Sequence, residues 1–412
     1  MAMNTKSDAE NQESILTKPV IGWALCDLAD TAFSALFVTF FFSVLLTEHL
    51  GGNDFQFGLT ISIAMLFAAI LVPTVGAWSD TIGVRKPFLR FFTTCCVILT
   101  AIVPFTTLPW TLFLAGLAVL CYQISLDVYD ALLRRVSNSR TIGRVSGLGV
   151  AFGYCGSILS LGMAYMILSY YGWETIEGVR AVMLATALFY LAFSQFLFIW
   201  VKEPTGTPAP ILKSVKDAFS SIGHSLSHIG ENKTVWSFLL ASLLYTGGMN
   251  TAIAFLYRFG KEKLGIGVQA FFPVFALMAV GAGCGALIAG KLSQNVGARK
   301  TILIMITGWI GVLVMLMTYT THITYLLGGI LGGAALGGVW TVTRQMLITL
   351  APQAKLAQFL GFQGLTEKSS GIIGPGLFGF LAVKAGYTIA MVPILIFFVI
   401  GFLIVWRLPE RN

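Results

Sequence analysis

A chain of 412 residues that is 56% hydrophobic and only 11% charged is not an ordinary water-soluble domain, in which about a quarter of residues carry charge. Its net charge of +8 comes without a basic cluster interleaved with aromatics, which argues against a nucleic-acid partner. The composition is that of a protein embedded in a lipid bilayer.

The polar, acidic start MAMNTKSDAENQES lacks the basic segment, short apolar core and small-residue cleavage site of a removable signal peptide, so the first span is expected to direct insertion. Crossing the hydrocarbon core takes about 20 helical residues. Runs of that kind can be drawn twelve times, near 20–47, 57–78, 88–107, 110–133, 145–170, 179–201, 235–258, 267–290, 301–319, 323–350, 358–383 and 386–407. A polar segment from Glu203 to Lys233 divides them, opening with EPTGTPAP, where repeated proline stops the sixth span. Within it Ile211, Leu212, Val215, Ala218, Phe219, Ile222 and Leu226 recur at helical spacing opposite Lys213, Lys216 and Asp217, which predicts an amphipathic helix lying on the interface. The expected organisation is a tail over 1–19, a six-helix bundle over 20–201, a linker over 202–234, a second six-helix bundle over 235–407 and a tail over 408–412.

Short cytoplasmic loops accumulate Lys and Arg. Arg85, Lys86, Arg90, Arg134, Arg135, Arg140, Arg144, Lys202, Lys213, Lys216, Lys233, Lys291, Arg299 and Lys300 fall on one side of the twelve spans, and only Arg180, Arg258, Lys261, Lys263 and Lys384 on the other. Both termini are therefore expected on the cytoplasmic side of the membrane that the spans cross.

Charges inside the spans need a partner, a wet cavity or a function, because each costs roughly 2.5–3.5 kcal/mol at mid-membrane on insertion scales. Asp27 and Asp30 lie three apart on the first span, and Asp127 and Asp130 repeat that spacing on the fourth. A rise of about 1.5 Å per residue puts both pairs near the cytoplasmic ends of their helices, where four carboxylates can share a level and hold a proton or a cation. A second reading has Asp127 and Asp130 bonding only Arg134 or Arg135 at the interface. The second half supplies Arg344 on the tenth span and Glu367 and Lys368 on the eleventh. These can pair with the acids across the cytoplasmic mouth, or form a permanent pair within one half. On the seventh span, Tyr245-Thr-Gly-Gly-Met-Asn250 invites local unwinding of the kind that exposes backbone groups to a substrate, which makes Tyr245, Asn250 and Trp340 candidate lining residues. His49, His224, His228 and His322 fall in loops or at interfaces, away from any intramembrane relay. The six cysteines, all in spans and without ligand or oxidoreductase spacing, read as small packing residues, and no cofactor or metal site is expected.

Between the second and third spans, Gly76-Ala-Trp-Ser-Asp80-Thr-Ile-Gly83-Val-Arg85-Lys86 returns 214 positions later as Gly290-Lys-Leu-Ser-Gln294-Asn-Val-Gly297-Ala-Arg299-Lys300. The same offset maps Gly147 to Gly361, Gly162 to Gly376, and Gly156-Ser157 to Ser370-Gly371. A duplicated six-helix unit is the arrangement from which alternating-access carriers are built. Asp80 with Arg85 or Lys86 is expected to latch helix ends together, more firmly than the second copy, where Gln294 replaces the acid.

GAWSDTIGVRK resembles the signature of the major facilitator superfamily. Trp23-Ala-Leu-Cys-Asp27-Leu-Ala-Asp30-Thr-Ala-Phe33, Tyr129-Asp130-Ala-Leu-Leu, Gly143-Arg144-Val-Ser-Gly147-Leu-Gly149, Thr343-Arg344 and the segment from Gly361 through Glu367-Lys368 to Gly374-Pro375 are similar to motifs of the autophagy-linked vacuolar amino-acid effluxers and their bacterial relatives. The resemblance implies an all-α fold of twelve membrane helices in two pseudo-symmetric bundles, with the first, fourth, seventh and tenth spans lining a cavity. It also implies amino acids or similar small solutes as substrates. Asp27, Arg344 and Lys368 match the family pattern, while Asp30 and Asp130 stand where it has Asn, which favours an amine-bearing substrate or proton coupling. Asp27 and Asp127 also have a weaker likeness to the acids of cation-coupled glycoside permeases.

The expected function is a monomeric, proton-coupled secondary transporter of an amino acid or amine-bearing metabolite. A sugar:cation symporter is the alternative, and a non-transporting membrane sensor or scaffold belongs to a different class. No Ser, His and acid set suggests an enzyme, and no Walker-type loop suggests direct ATP drive.

Overall fold

Proline opens several helices of this chain, at a position where its missing N–H has no intrahelical partner to lose. Pro19, Pro87, Pro109 and Pro375 all stand in first turns. The computed structural model describes residues 16–138, 141–204, 206, 232–352 and 356–409, and within them the regular elements are all helical. The first half holds α1 (Lys18–His49), α2 (Asp54–Ile82), α3 (Lys86–Phe105), α4 (Leu108–Val136), α5 (Ile142–Tyr171) and α6 (Ile176–Trp200). The second holds α7 (Lys233–Ala254), α8 (Leu256–Leu264), α9 (Val268–Val296), α10 (Ala298–Thr318), α11 (His322–Leu350), α12 (Leu356–Ser370), α13 (Gly374–Ala385) and α14 (Tyr387–Arg407). The amphipathic helix expected over 211–226 lies outside the described residues, as does most of the polar tail before Lys18.

Ten of these helices are long and apolar enough to cross a membrane, and α7 with α8, bent by 53°, is apolar enough to make an eleventh if the two are taken as one span. The remaining expected crossing, near 358–383, is α12 and α13, separated by a turn at Gly371, Ile372 and Ile373. A side-chain capping box of Asn53 and Gln56, each bond 3.0 Å, starts α2. Gly83, at φ 81°, stops it in the left-handed region that glycine tolerates. Along α1 the helix widens into π-type turns over Ser34–Phe41 and Leu45–His49, a departure the sequence pattern does not predict. That stretch packs Phe37, Phe40, Phe41 and Phe42 with no solvent exposure.

The structure corrects one expectation about the seventh span. Tyr245 to Asn250 stays helical, and the break comes at Phe255. The glycine pair serves close packing: a Cβ on Gly247 would lie 2.8 Å from the Ser370 carbonyl oxygen, and one on Gly248 would lie 3.0 Å from the Phe398 ring.

Within the first half α1 packs on α5 and α6, and within the second α9 packs closely on α11. Across the halves α2 meets α12 and α13, and α5 meets α9. Under the 214-residue shift α2 maps onto α9, and α5 onto α12 and α13, so the two cross-half seams are images of each other. One end of the molecule carries the loops rich in Lys and Arg after α2, α4, α6 and α9, and is called here the basic end; the other is the far end.

Candidate transport site

Asp30 is 1% exposed and is held by a tyrosine of α6 and by a cysteine one turn back on its own helix. Tyr190 of α6 donates its hydroxyl to Oδ1, Cys26 approaches Oδ2 at 3.7 Å, and Ser125 of α4 lies 3.2 Å from the same Tyr190 hydroxyl. Asp27, one turn away, faces a different neighbour. Its Oδ2 would be 3.1 Å from a Cβ on Gly149 and 3.5 Å from one on Gly153, so the glycines of α5 make the space this carboxylate occupies. Beside it Trp23 stacks on Tyr129 of α4 at 4.7 Å and donates its indole N–H to the Tyr129 carbonyl at 3.2 Å.

Asp127 lies on the seam between halves. A Cβ on Gly76 of α2 or on Gly364 of α12 would each stand 3.9 Å from one of its oxygens. Asp130, one turn nearer the basic end, is accessible to solvent although protein surrounds it on most sides. No ion pair joins Asp27, Asp30, Asp127 or Asp130 to a described residue, and among the described residues neither Arg134 nor Arg135 bonds Asp127 or Asp130; Arg135 donates to the Gly83 carbonyl at 3.3 Å.

The second half brings its charges to the same place. Lys368 is 7% exposed, yet its ammonium reaches across to Gln123 Oε1 on α4 at 3.0 Å. Its charge acts on Asp30, Asp127, Asp130 and Glu367, and that of Arg344 acts on Asp130 and Glu367. Arg344 is solvent-exposed, as is Trp340 one turn back on the same face of α11. Glu367 accepts from Gln363 at 3.1 Å. Arg344 and Asp130 are thus both exposed toward the basic end and make no ion pair with one another. Tyr245 is fully buried against Thr343 at 3.0 Å, and Asn250 donates to Ser370 at 3.3 Å, so both hold α7 to its neighbours.

The far end is shut by groups that in the sequence are ordinary loop charges. Arg258 of α8 makes a two-point contact with Asp54 of α2, at 2.7 and 3.3 Å, and Tyr387 donates to the same carboxylate. Lys261 meets Glu48 of α1 at 2.9 Å, and Tyr257 also donates to Glu48. Beneath these pairs Phe40 packs on Tyr257 and Phe271 at 4.8 and 4.7 Å, and Phe57 on Phe255 at 5.2 Å. Of these residues only Arg258 and Lys261 stand out in the sequence, and only as members of the sparse charge on that side.

In the first loop motif the expected charges are joined by a component the sequence does not reveal. Arg85 pairs with Asp80 and donates to the Ala131 carbonyl of α4 at 2.9 Å. Glu203, just beyond α6, accepts the backbone N–H groups of Arg85 and Lys86 at 3.0 and 2.7 Å, where the first-turn donors of α3 need an acceptor. Lys86 in turn donates to the Val201 carbonyl at 2.7 Å. In the second copy Arg299 turns to the Val405 and Trp406 carbonyls at the end of α14, while Gln294 is exposed. Gly290 lies 3.7 Å, by its missing Cβ, from Thr341; Gly297 has positive φ of 88°; and Lys300 is exposed. Ser293 bonds Gln345 at 2.7 Å, the position equivalent to Ala131 under the repeat. Replacing Glu203 by Ala is expected to lower stability by about 1–2 kcal/mol, read as a fall in thermal unfolding temperature, because two backbone N–H groups, one of them shared between both oxygens, lose their carboxylate acceptor together. An unchanged transition would remove the cap from the latch.

The family described as "Vacuole effluxer Atg22 like" matches residues 134–412. Over 420 aligned residues the chain is 26% identical to YxiO of Bacillus subtilis (strain 168), named an uncharacterized MFS-type transporter, with 96% of each protein covered. It is 23% identical over 270 residues to autophagy-related protein 22 of Coccidioides immitis (strain RS), covering 59% of this chain and 44% of that one. Among solved structures, a D-xylose-proton symporter superposes with a TM-score of 0.73 at 15% identity, covering 96% of this chain and 98% of the other. A point mutant of the nucleoside transporter NupG gives 0.73 at 14% identity, over 94% and 98%. These likenesses show the fold, that of the major facilitator transporters. With the family matching well over half of its length, the chain belongs to the Atg22-like vacuole effluxer family and is a membrane transporter of the major facilitator type.

Proposed function

We propose that the chain is a proton-coupled secondary transporter of an amino acid or other amine-bearing solute, working by alternating access between two six-helix halves, 20–201 and 235–407. The observation that carries this reading is the gathering of Asp27, Asp30, Asp127 and Asp130 from one half with Lys368 and Arg344 from the other, beneath a far end closed by cross-half ion pairs, with Asp130 and Arg344 exposed toward the basic end. Taking the basic end as cytoplasmic, by the distribution of Lys and Arg, the protein is caught facing inward with both termini in the cytoplasm. It works as a monomer in the bacterial inner membrane.

In that state the carboxylates would hold the substrate's amine or a proton, and Arg344 or Lys368 its carboxylate. Closing the basic end would bring Arg344 toward Asp130, while opening the far end would separate Arg258 from Asp54 and Lys261 from Glu48. Gly76, Asp80, Gly83, Arg85 and Lys86, with Gly290, Gly297, Arg299 and Lys300, would brace the helix ends that move.

The test is uptake by the purified full chain in proteoliposomes, screened over amino acids, amines and sugars with and without an imposed proton gradient. Gradient-driven accumulation of an amino acid or amine is expected. Asp27→Asn together with Asp30→Asn is expected to reduce it at least about tenfold while exchange of solute without a gradient persists. Undiminished accumulation in that double variant would remove the carboxylates from coupling, and uptake of sugars alone would replace the substrate class.

A further inference from the structure

Lys368 is a buried cation whose hydrogen-bond partner is a neutral amide, although several carboxylates stand nearby. Asp127 and Asp130 on α4, Asp30 on α1, its neighbour Glu367 on α12 and, as the second cation, Arg344 on α11 make up the charged groups around it. A charge-assisted bond to a carboxylate is roughly twice as strong as one between neutral groups, and a buried charge without its counter-charge is costly. The partner chosen here therefore needs a reason.

The register of the two helices supplies it. α4 runs toward the basic end and α12 runs away from it, so they are antiparallel. Lys368 meets Gln123, and four residues back on α12 Gly364 meets Asp127, four residues on along α4. Gln123 and Asp127 are thus acceptors on one face, about 6 Å apart along the axis. Gly364 presents no side chain between them: a Cβ there would stand 3.9 Å from Asp127 Oδ1, and a longer side chain would fill the path from one acceptor to the other. A lysine, with four flexible methylenes, spans that step.

We propose that Gln123 is a positioning residue that holds Lys368 away from Asp127 while the basic end is open, and that Lys368 steps one turn to Asp127, through the space Gly364 leaves, as that end closes. While Lys368 is on Gln123, Asp127 is available to a proton or to the amine of a solute; once Lys368 arrives, either must have left. The step makes release from Asp127 a condition of closure. This inference rests on the alternating-access reading above.

The experiment measures distances between paired spin labels, one pair across each end, in the full chain in lipid nanodiscs without solute. Gln123→Glu gives Lys368 an ionic partner where it now rests, and is expected to raise the ratio of basic-end-open to basic-end-closed molecules at least about tenfold. Asp127→Asn removes the second station and is expected to shift the ratio in the same direction. Both shifts are expected to vanish in a Lys368→Met background. Should that background fail to fold, Gly364→Leu serves instead: by blocking the path it is expected to favour the open basic end. Shifts that survive without Lys368, opposite signs for Gln123→Glu and Asp127→Asn, or no response to Gly364→Leu would overturn the assignment. If the two ends of the unsubstituted protein never change in opposite senses, the alternating-access reading itself fails, a result distinct from alternation that ignores Gln123.

Discussion

Arg258→Met is expected to tip the resting protein toward an open far end by more than about a hundredfold. Arg258 and Asp54 have side chains only 12% and 8% exposed, and their two-point contact joins α8 of one half to α2 of the other. Removing one member of a buried ion pair costs about 3–5 kcal/mol, because the other is left without its counter-charge. Here the protein has an escape: parting the halves returns Asp54 to water, so the cost falls on the closed state and not on the fold. The measurement is the reactivity of a cysteine placed at Ser62, which in the closed seam is buried and accepts the Gly376 N–H at 2.8 Å. Rapid labelling in the Arg258→Met chain, against slow labelling in the parent, is the expected result. Equal rates would mean that the pair does not hold the seam.

The second large effect is steric. A Cβ on Gly58 of α2 would lie 2.0 Å from the Pro375 carbonyl oxygen of α13, and one on Gly379 would lie 2.2 Å from that of Asp54. Both contacts are with backbone, which cannot rotate aside. Gly58→Val is therefore expected to forbid the closed far end while leaving each half folded, with the label at Ser62 fully reactive and thermal stability changed by no more than about 1–3 kcal/mol. Gly156 provides the contrast. Its missing Cβ would stand 2.1 Å from the Leu28 carbonyl oxygen, inside the first half, where α1 and α5 have no open alternative. Gly156→Val is expected to abolish folded protein. If Gly58→Val behaved like Gly156→Val, the seam between α2 and α13 would be a fixed joint.

Much of this architecture is legible in the sequence because a bilayer leaves the chain few options. Apolar length locates the crossings, prolines and glycines mark several starts and stops, and the repeat of Gly76 to Lys86 locates equivalent loops. The acids are conspicuous for the same reason: Asp27, Asp30, Asp127 and Asp130 interrupt apolar runs. Their partners are not. Tyr190 and Gln123 are unremarkable polar residues on other spans, and only the fold brings them to Asp30 and Lys368. Glu48, Asp54, Arg258 and Lys261 sit at helix ends, where charge is ordinary, so nothing in their spacing announces a seal. Glycine misleads because it permits either a break or a close approach. Gly247 and Gly248 suggest the first and serve the second, while the bend falls at Phe255 and the break at Gly371.

That break has a mechanical consequence. Across Gly371, Ile372 and Ile373 the helical ladder gives way to tighter turns, with Gly371 N–H bonded to the Lys368 carbonyl at 3.3 Å and Ile372 N–H to that of Ser369 at 3.1 Å. An unbroken helix is a stiff rod that carries torque from one end to the other; one cut at mid-depth is a knuckle. With α13 clamped on α2 and α12 bearing the lysine, a knuckle between them would let α12 roll before α13 lets go, so the ammonium could change stations ahead of the parting of the seal rather than only after it.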